Sequence, residues 1–124
     1  MGFNDEFRDR TKKFALRIIK LYQSLPKSEE ARIIGKQLLR SGTSIGANYR
    51  SSTKGRSEKE FISKLSISNE EADETCYWIE LLIESKIVEE VRLKELYNES
   101  VEISKILAVS RKTLLSRSSN AKKT

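Results

Sequence analysis

A chain of 124 residues with one proline, five glycines and 34% charged residues is long enough for one core, too short for two, and too poor in turn signals for a strand-rich fold. Its single cysteine excludes an internal disulfide, and the lack of any histidine removes the commonest general base and the commonest metal ligand together. The formal charge of +6 is unevenly laid down, at +8 over residues 1–65, −8 over 66–104 and +6 over 105–124, which suits a molecule with oppositely charged faces.

Asn4 or Asp5 is the expected cap of a first helix with acids in its opening turn. Phe7, Thr11, Phe14, Ile18, Leu21 and Leu25 alternate steps of four and three, the period of a bundle seam. Arg10, Lys13, Arg17 and Lys20 repeat on another side as a basic stripe. Pro26 stops the helix near Ser24. Ser28 then caps a second helix, with Glu29 and Glu30 behind it.

Ala31, Ile34, Leu38, Ser41, Ile45, Asn48 and Ser52 form the inner side of that helix, so periodicity runs straight through Arg40-Ser41-Gly42-Thr43-Ser44-Ile45-Gly46-Ala47-Asn48-Tyr49-Arg50. Gly42 and Gly46 each cost a helix about 1 kcal/mol against alanine. The expected return is close approach of a neighbouring backbone, read here as that of the third helix. Arg32, Lys36 and Arg40 line the outside, continued by Arg50 and Lys54. Gly55 is the expected left-handed terminator.

Ser57 and Glu60 make a capping box for a third helix over 58–84. Its seam is Phe61, Leu65, Ser68, Ala72, Thr75, Ile79 and Leu82, flanked by Ile62, Asn69, Cys76 and Ile83. Glu70, Glu74 and Trp78 follow one another at one-turn spacing. After a connection around 85–88, a fourth helix carries Leu93, Leu96, Ser100, Ile103, Leu107, Ser110 and Leu114. Tyr97, Val101 and Ile106, with Tyr77 and Trp78, widen the apolar surface beyond one small bundle's need, which points to subunit contacts. The expected organisation is all-α, an antiparallel up-down-up-down four-helix bundle over 1–117, with a disordered basic tail over 118–124.

Catalytic chemistry finds little purchase. Glu70, Glu71 and Glu74 fit ion pairs or hydrogen bonds with Arg40, Arg50 or Asn48 better than a metal centre, since a carboxylate-bridged bundle wants Glu-x-x-His motifs. Cys76 lies mid-helix beside apolar positions, where no base activates it. The Gly42-x-x-x-Gly46 spacing lacks the lysine and preceding strand of a phosphate loop. Asn48 and the seam hydroxyls of Ser41, Ser68, Thr75 and Ser100 read as a register-fixing polar network. The chain is expected to be no enzyme and to hold no cofactor or metal. With no leader-like or membrane-spanning stretch, the expected compartment is the cytoplasm.

The basic stripes carry the functional slant. Arg10, Lys13, Arg17 and Lys20, then Arg32, Lys36 and Arg40, then Lys105, Arg111, Lys112 and Arg117 are the candidates for a weak, salt-sensitive phosphate interface with RNA or DNA. A scaffold presenting Trp78 or Tyr97 to a protein partner is the alternative.

The segments R-S-G-T-S-I-G-A-N-Y-R at 40–50 and F-I-S-K-L-S-I-S-N-E-E-A-D-E-T-C-Y-W-I-E-L-L at 61–82 resemble the 23S ribosomal RNA intervening-sequence proteins, over about Phe7 to Leu115. Gly42, Ile45, Gly46, Asn48, Tyr49, Glu74 and Trp78 carry the pattern, while Ser66 and Ser68 stand where many members have small apolar residues. The resemblance implies a four-helix bundle able to form a ring-like homopentamer. It also implies association with ribosomal RNA insertions by genomic location. A related group, the accessory variability determinants of diversity-generating retroelements, implies contact with nucleic acid.

Overall fold

The computed structural model describes residues 3–123, with side chains from 4 to 119. Four helices account for it: α1 (Phe3–Ser24), α2 (Glu29–Ser52), α3 (Glu58–Glu84) and α4 (Glu90–Lys123), with no strand among the described residues. The chain is all-α. α1 starts before the expected caps, so Asn4 and Asp5 sit inside its first turn. Ser28 and Ser57 do cap α2 and α3, accepting from the amides of Ala31 and Glu60, which satisfies donors that the first helical turn leaves open.

Sequence neighbours pack on one another, and α4 returns to touch α1 more sparsely. Along α2 and α3 the paired positions run in opposite order. The Ser68 hydroxyl donates to the Ile45 carbonyl at 2.7 Å, and about two turns further along α3 Thr75 Oγ1 lies 3.0 Å from Ser41 Oγ. All three hydroxyl-bearing residues are fully buried. Each has a hydrogen-bond partner, so burial leaves no desolvated hydroxyl uncompensated. Around them Phe14, Ile18, Leu38, Ile45, Leu65, Ile79, Leu82, Leu93, Ile103 and Leu107 make one contiguous core.

The glycines face a different neighbour from the one expected. A Cβ on Gly42 would lie 2.9 Å from Ile18 Cγ1, and one on Gly46 would lie 3.1 Å from Thr11 Oγ1. It is therefore α1, not α3, that these glycines admit, although α2 and α3 share the more extensive interface. The physical reason is angular: Ser41 and Ile45 point to α3, and a step of one residue turns Gly42 and Gly46 about 100° around the helix to α1. Gly35 lies on the same side, against Leu25 and Tyr22.

Two other local expectations change. Gly55 does not adopt a left-handed conformation; α2 ends with Thr53 in right-handed geometry. The space for a Cβ at Gly55 is closed by the Phe61 amide at 3.1 Å and the Ser52 carbonyl at 3.2 Å. Among the described residues, positive φ occurs at Lys86, at 63° just after α3. That turn lets the Val88 amide reach back to the Leu82 carbonyl at 3.2 Å and buries Val88. At the other end, α4 continues through Ser118 and Ser119 to Lys123, over the stretch expected to be an unstructured tail. No glycine or proline occurs there to stop it. Thr124 lies outside the described residues.

Candidate nucleic-acid interface

The eleven candidate cations are divided among α1, α2 and α4. The backbones of α2 and α4 make no close approach, so Arg32, Lys36 and Arg40 on the outer face of α2 stand apart from the cations of α4. Asn4, Val109, Ser110, Thr113 and Arg117 line one depression, which brings the start of α1 beside the end of α4 and near Arg111 and Lys112. Lys20, Arg32, Lys36, Lys112 and Arg117 are exposed.

Three candidates already sit against acids of the chain, two of them across helices and Lys13 at the exposed surface of α1. Arg10 grips Glu99 of α4 with two hydrogen bonds, 2.8 Å from Nε and 2.7 Å from a terminal nitrogen. This fork holds the Glu99 carboxyl below its ordinary pKa, through the hydrogen bond first, against the opposing effect of burial. Lys13 pairs with Asp9 at 3.0 Å. Arg40 spans Glu71 at 3.0 Å and Glu74 at 2.5 Å on α3, and its hydrogen bond lowers the Glu74 pKa. The positive first half and negative middle of the chain thus meet at α1–α4 and α2–α3, which the charge blocks alone do not disclose. Arg111 takes a different partner, donating from Nε to Ser66 Oγ at 2.8 Å. Ser66, polar here, thereby gains a contact with α4.

The remaining motif residues do structural work. Trp78 donates its indole N–H to Glu74 Oε1 at 3.1 Å, so Arg40, Glu74 and Trp78 form one chain of contacts across α2 and α3. Tyr49 is buried, packs edge-on against Phe7 with centroids 4.8 Å apart, and donates its hydroxyl to Asn4 Oδ1. Asn48 does not anchor the expected cross-helix network. Lying at the edge of the seam, it donates within its own helix to the Ser44 carbonyl at 2.9 Å. Among the described residues, the buried side-chain oxygen with no hydrogen-bond partner is Asn69 Oδ1.

Cys76 is half-buried, 3.2 Å from Ser100 Oγ, and burial pushes its thiol pKa up, the reverse of what a nucleophile needs. Among the described residues no group of three or more Cys, Asp or Glu side chains is arranged to hold a metal ion. No described helix is long and apolar enough to cross a membrane.

A cluster outside the eleven candidates is also present. Arg8 and Lys12 of α1 and Arg50 of α2 rim a depression of about 350 Å³, together with Asp5 and Asp9 and over Ala15, Thr43, Gly46 and Ala47. The i, i+4 spacing of Arg8 and Lys12 was available in the sequence; their position beside Arg50 needs the close α1–α2 packing that the glycines permit.

Comparison with known proteins agrees with this architecture. The family model described as 23S rRNA-intervening sequence protein matches residues 5–109. No curated protein matches the chain significantly. A crystal structure at 1.70 Å from Bacteroides thetaiotaomicron VPI-5482, described as a protein with unknown function from the S23 ribosomal protein family, is similar at 40% identity. The match covers 88% of this chain and 97% of that one, with a TM-score of 0.81.

Proposed function

The chain belongs to the 23S rRNA-intervening sequence protein family, and from that premise we propose that it is a non-enzymatic, oligomeric, cytoplasmic bundle that associates with RNA. Its contacts are phosphate contacts, made by cations that the fold leaves outside its own ion pairs: Arg32 and Lys36 on α2, and Lys112 and Arg117 on α4. The observation that carries the reading is the division of the basic residues. Arg10, Lys13 and Arg40 are spent on Glu99, Asp9 and the Glu71–Glu74 pair, whereas residues 105–124 hold six Lys/Arg and no acid. Such an interface is electrostatic and tolerant of sequence, because phosphates carry no base identity.

The resemblance further supports an up-down-up-down bundle assembled as a ring-like homopentamer. Exposed Tyr77 and Val109, at 53% and 65%, are the apolar surface such an assembly would cover. A mass measurement in solution tests the ring, and a gel-shift assay with single-stranded RNA at low and moderate salt tests the binding. Affinity falling steeply with salt, and lost in Lys112→Glu/Arg117→Glu, is the expected result. RNA binding that ignores both salt and these changes would defeat the reading. Tyr77, packed edge-on against Trp78 at 5.1 Å, supports a second reading in which a ring offers this aromatic pair to a protein partner. Trp78→Ala would then abolish capture of that partner, with little effect of salt.

A further inference from the structure

Along the outer side of α2, the cations come in two groups. Arg32, Lys36 and Arg40 follow at four-residue steps, then Thr43, Gly46 and Ala47 leave a gap, then Arg50 resumes the line and Lys54 follows just past the helix end. The gap is concave, because the Gly46 and Ala47 positions hold almost no side chain and Ala15 of α1 is equally short. It forms the floor of the depression of about 350 Å³ between α1 and α2. Its rim has both signs of charge, so the balance decides what it can hold. The Arg8 guanidinium lies 3.4 Å from Asp5, and Asp9 is held by Lys13 at 3.0 Å. Both rim carboxylates are therefore already countered. Lys12 on one wall and Arg50 on the other form no ion pair within the fold among the described residues, and both are exposed.

The geometry points to a seat for one phosphate group of an RNA backbone in this α1–α2 depression, gripped from opposite walls by Lys12 and Arg50 over the Gly46–Ala47 floor. The inference rests on the proposed RNA association and adds a location that the stripes do not contain. Small residues admit the phosphate between the two cations, where longer side chains would hold it away. An RNA strand fits better than a free nucleotide for two reasons. The depression is open, and Lys36 on α2 and exposed Lys54 just past the end of that helix carry positive charge to either side, so further phosphates have cations to meet. Each phosphate neutralised on a single strand contributes about 0.7 to the slope of log affinity against log salt.

The test uses the full chain, a single-stranded oligouridylate, and inorganic phosphate as a second probe. Arg50→Gln and Lys12→Gln should each weaken oligouridylate binding severalfold and flatten the salt slope by about 0.7. Ala47→Leu fills the floor without altering charge at an exposed position, and should weaken binding while melting stays unchanged. Amide shifts on adding oligouridylate should centre on Lys12, Thr43, Ala47 and Arg50. If RNA binds but Ala47→Leu and Arg50→Gln leave it unaffected, the seat is wrong and the wider reading survives. If RNA does not bind at all, both fall. Equal response of these amides to millimolar inorganic phosphate, with no gain from a chain of phosphates, would replace the RNA backbone by a free phosphate and overturn the inference as stated.

Discussion

Arg10 on α1 and Glu99 on α4 meet fork to fork, at 2.7 and 2.8 Å, across the sparsest helix–helix interface of the bundle. The pair couples closure of the bundle to pH. Glu99 has a folded pKa below its unfolded value, with the Arg10 hydrogen bond as the largest cause. Its contribution is thus complete above the unfolded carboxylate pKa and is lost as pH falls through the lower folded pKa. Glu99→Gln should cost about 1 kcal/mol at pH 7, a modest figure because both side chains keep some solvent contact. The difference from the parent should shrink on acidification through the carboxylate range. Urea melts of both proteins across that range check it, and a pH-independent difference would contradict the pairing.

Glu74 offers an optical report on the other cross-helix tie. Trp78 is the single tryptophan, and its indole N–H donates to Glu74. The Glu74 pKa is lowered, first by Arg40 and further by Trp78. Trp78 emission should therefore titrate below the ordinary carboxylate range, and Arg40→Gln should move the midpoint upward. An emission midpoint that ignores the Arg40 change would show that the triad does not persist in solution.

The glycines on α2 predict a graded series. Alanine gains about 1 kcal/mol of helix propensity at each site, and the neighbour decides whether that gain survives. At Gly42 the new Cβ meets Ile18, which is β-branched and fully buried. Net destabilisation of about 1 kcal/mol is expected there, since overpacking costs about 1 to 3 kcal/mol. At Gly35 the closest atom is the tip of Leu25 at 2.8 Å, and this half-buried side chain can swing aside, so Gly35→Ala should be neutral or mildly stabilising. Thermal melts should give the order Gly35 above Gly42. The reverse order would mean that α1 yields more easily than its packing implies.

Lys86 holds a left-handed backbone at φ 63°, a conformation costing a non-glycine residue about 1 kcal/mol or more. Lys86→Gly should raise stability by about 0.5 to 1 kcal/mol, after its larger unfolded-state entropy is subtracted. Denaturant midpoints settle the sign.

Helix spans were legible because alternating four-three steps of apolar residues repeat through all four segments, and α3 runs over 58–84 as its capping box and apolar seam indicate. What periodicity does not encode is which neighbour occupies each flank. Ser41 and Gly42 are one residue apart, yet they face α3 and α1 respectively. For the same reason a basic stripe reads as open surface until the fold sets an acid against it. Arg10 and Glu99 are 89 positions apart, and nothing local marks them as partners. Asn48 could reach across the seam or back along its own helix, and only the packed angle decides. Continuation of α4 past Arg117 was obscured because polar residues without apolar periodicity are compatible with helix as well as coil.

The most direct measurement compares two sets of charge reversals in one RNA-binding and melting experiment: Arg10→Glu and Arg40→Glu, whose cations are paired inside the fold, against Arg32→Glu/Lys36→Glu and Lys112→Glu/Arg117→Glu, whose cations are not. The account predicts that the first set lowers the melting temperature, while the second abolishes RNA binding and leaves melting within a degree or two. Loss of binding confined to the first set, or full binding in the second, would contradict it.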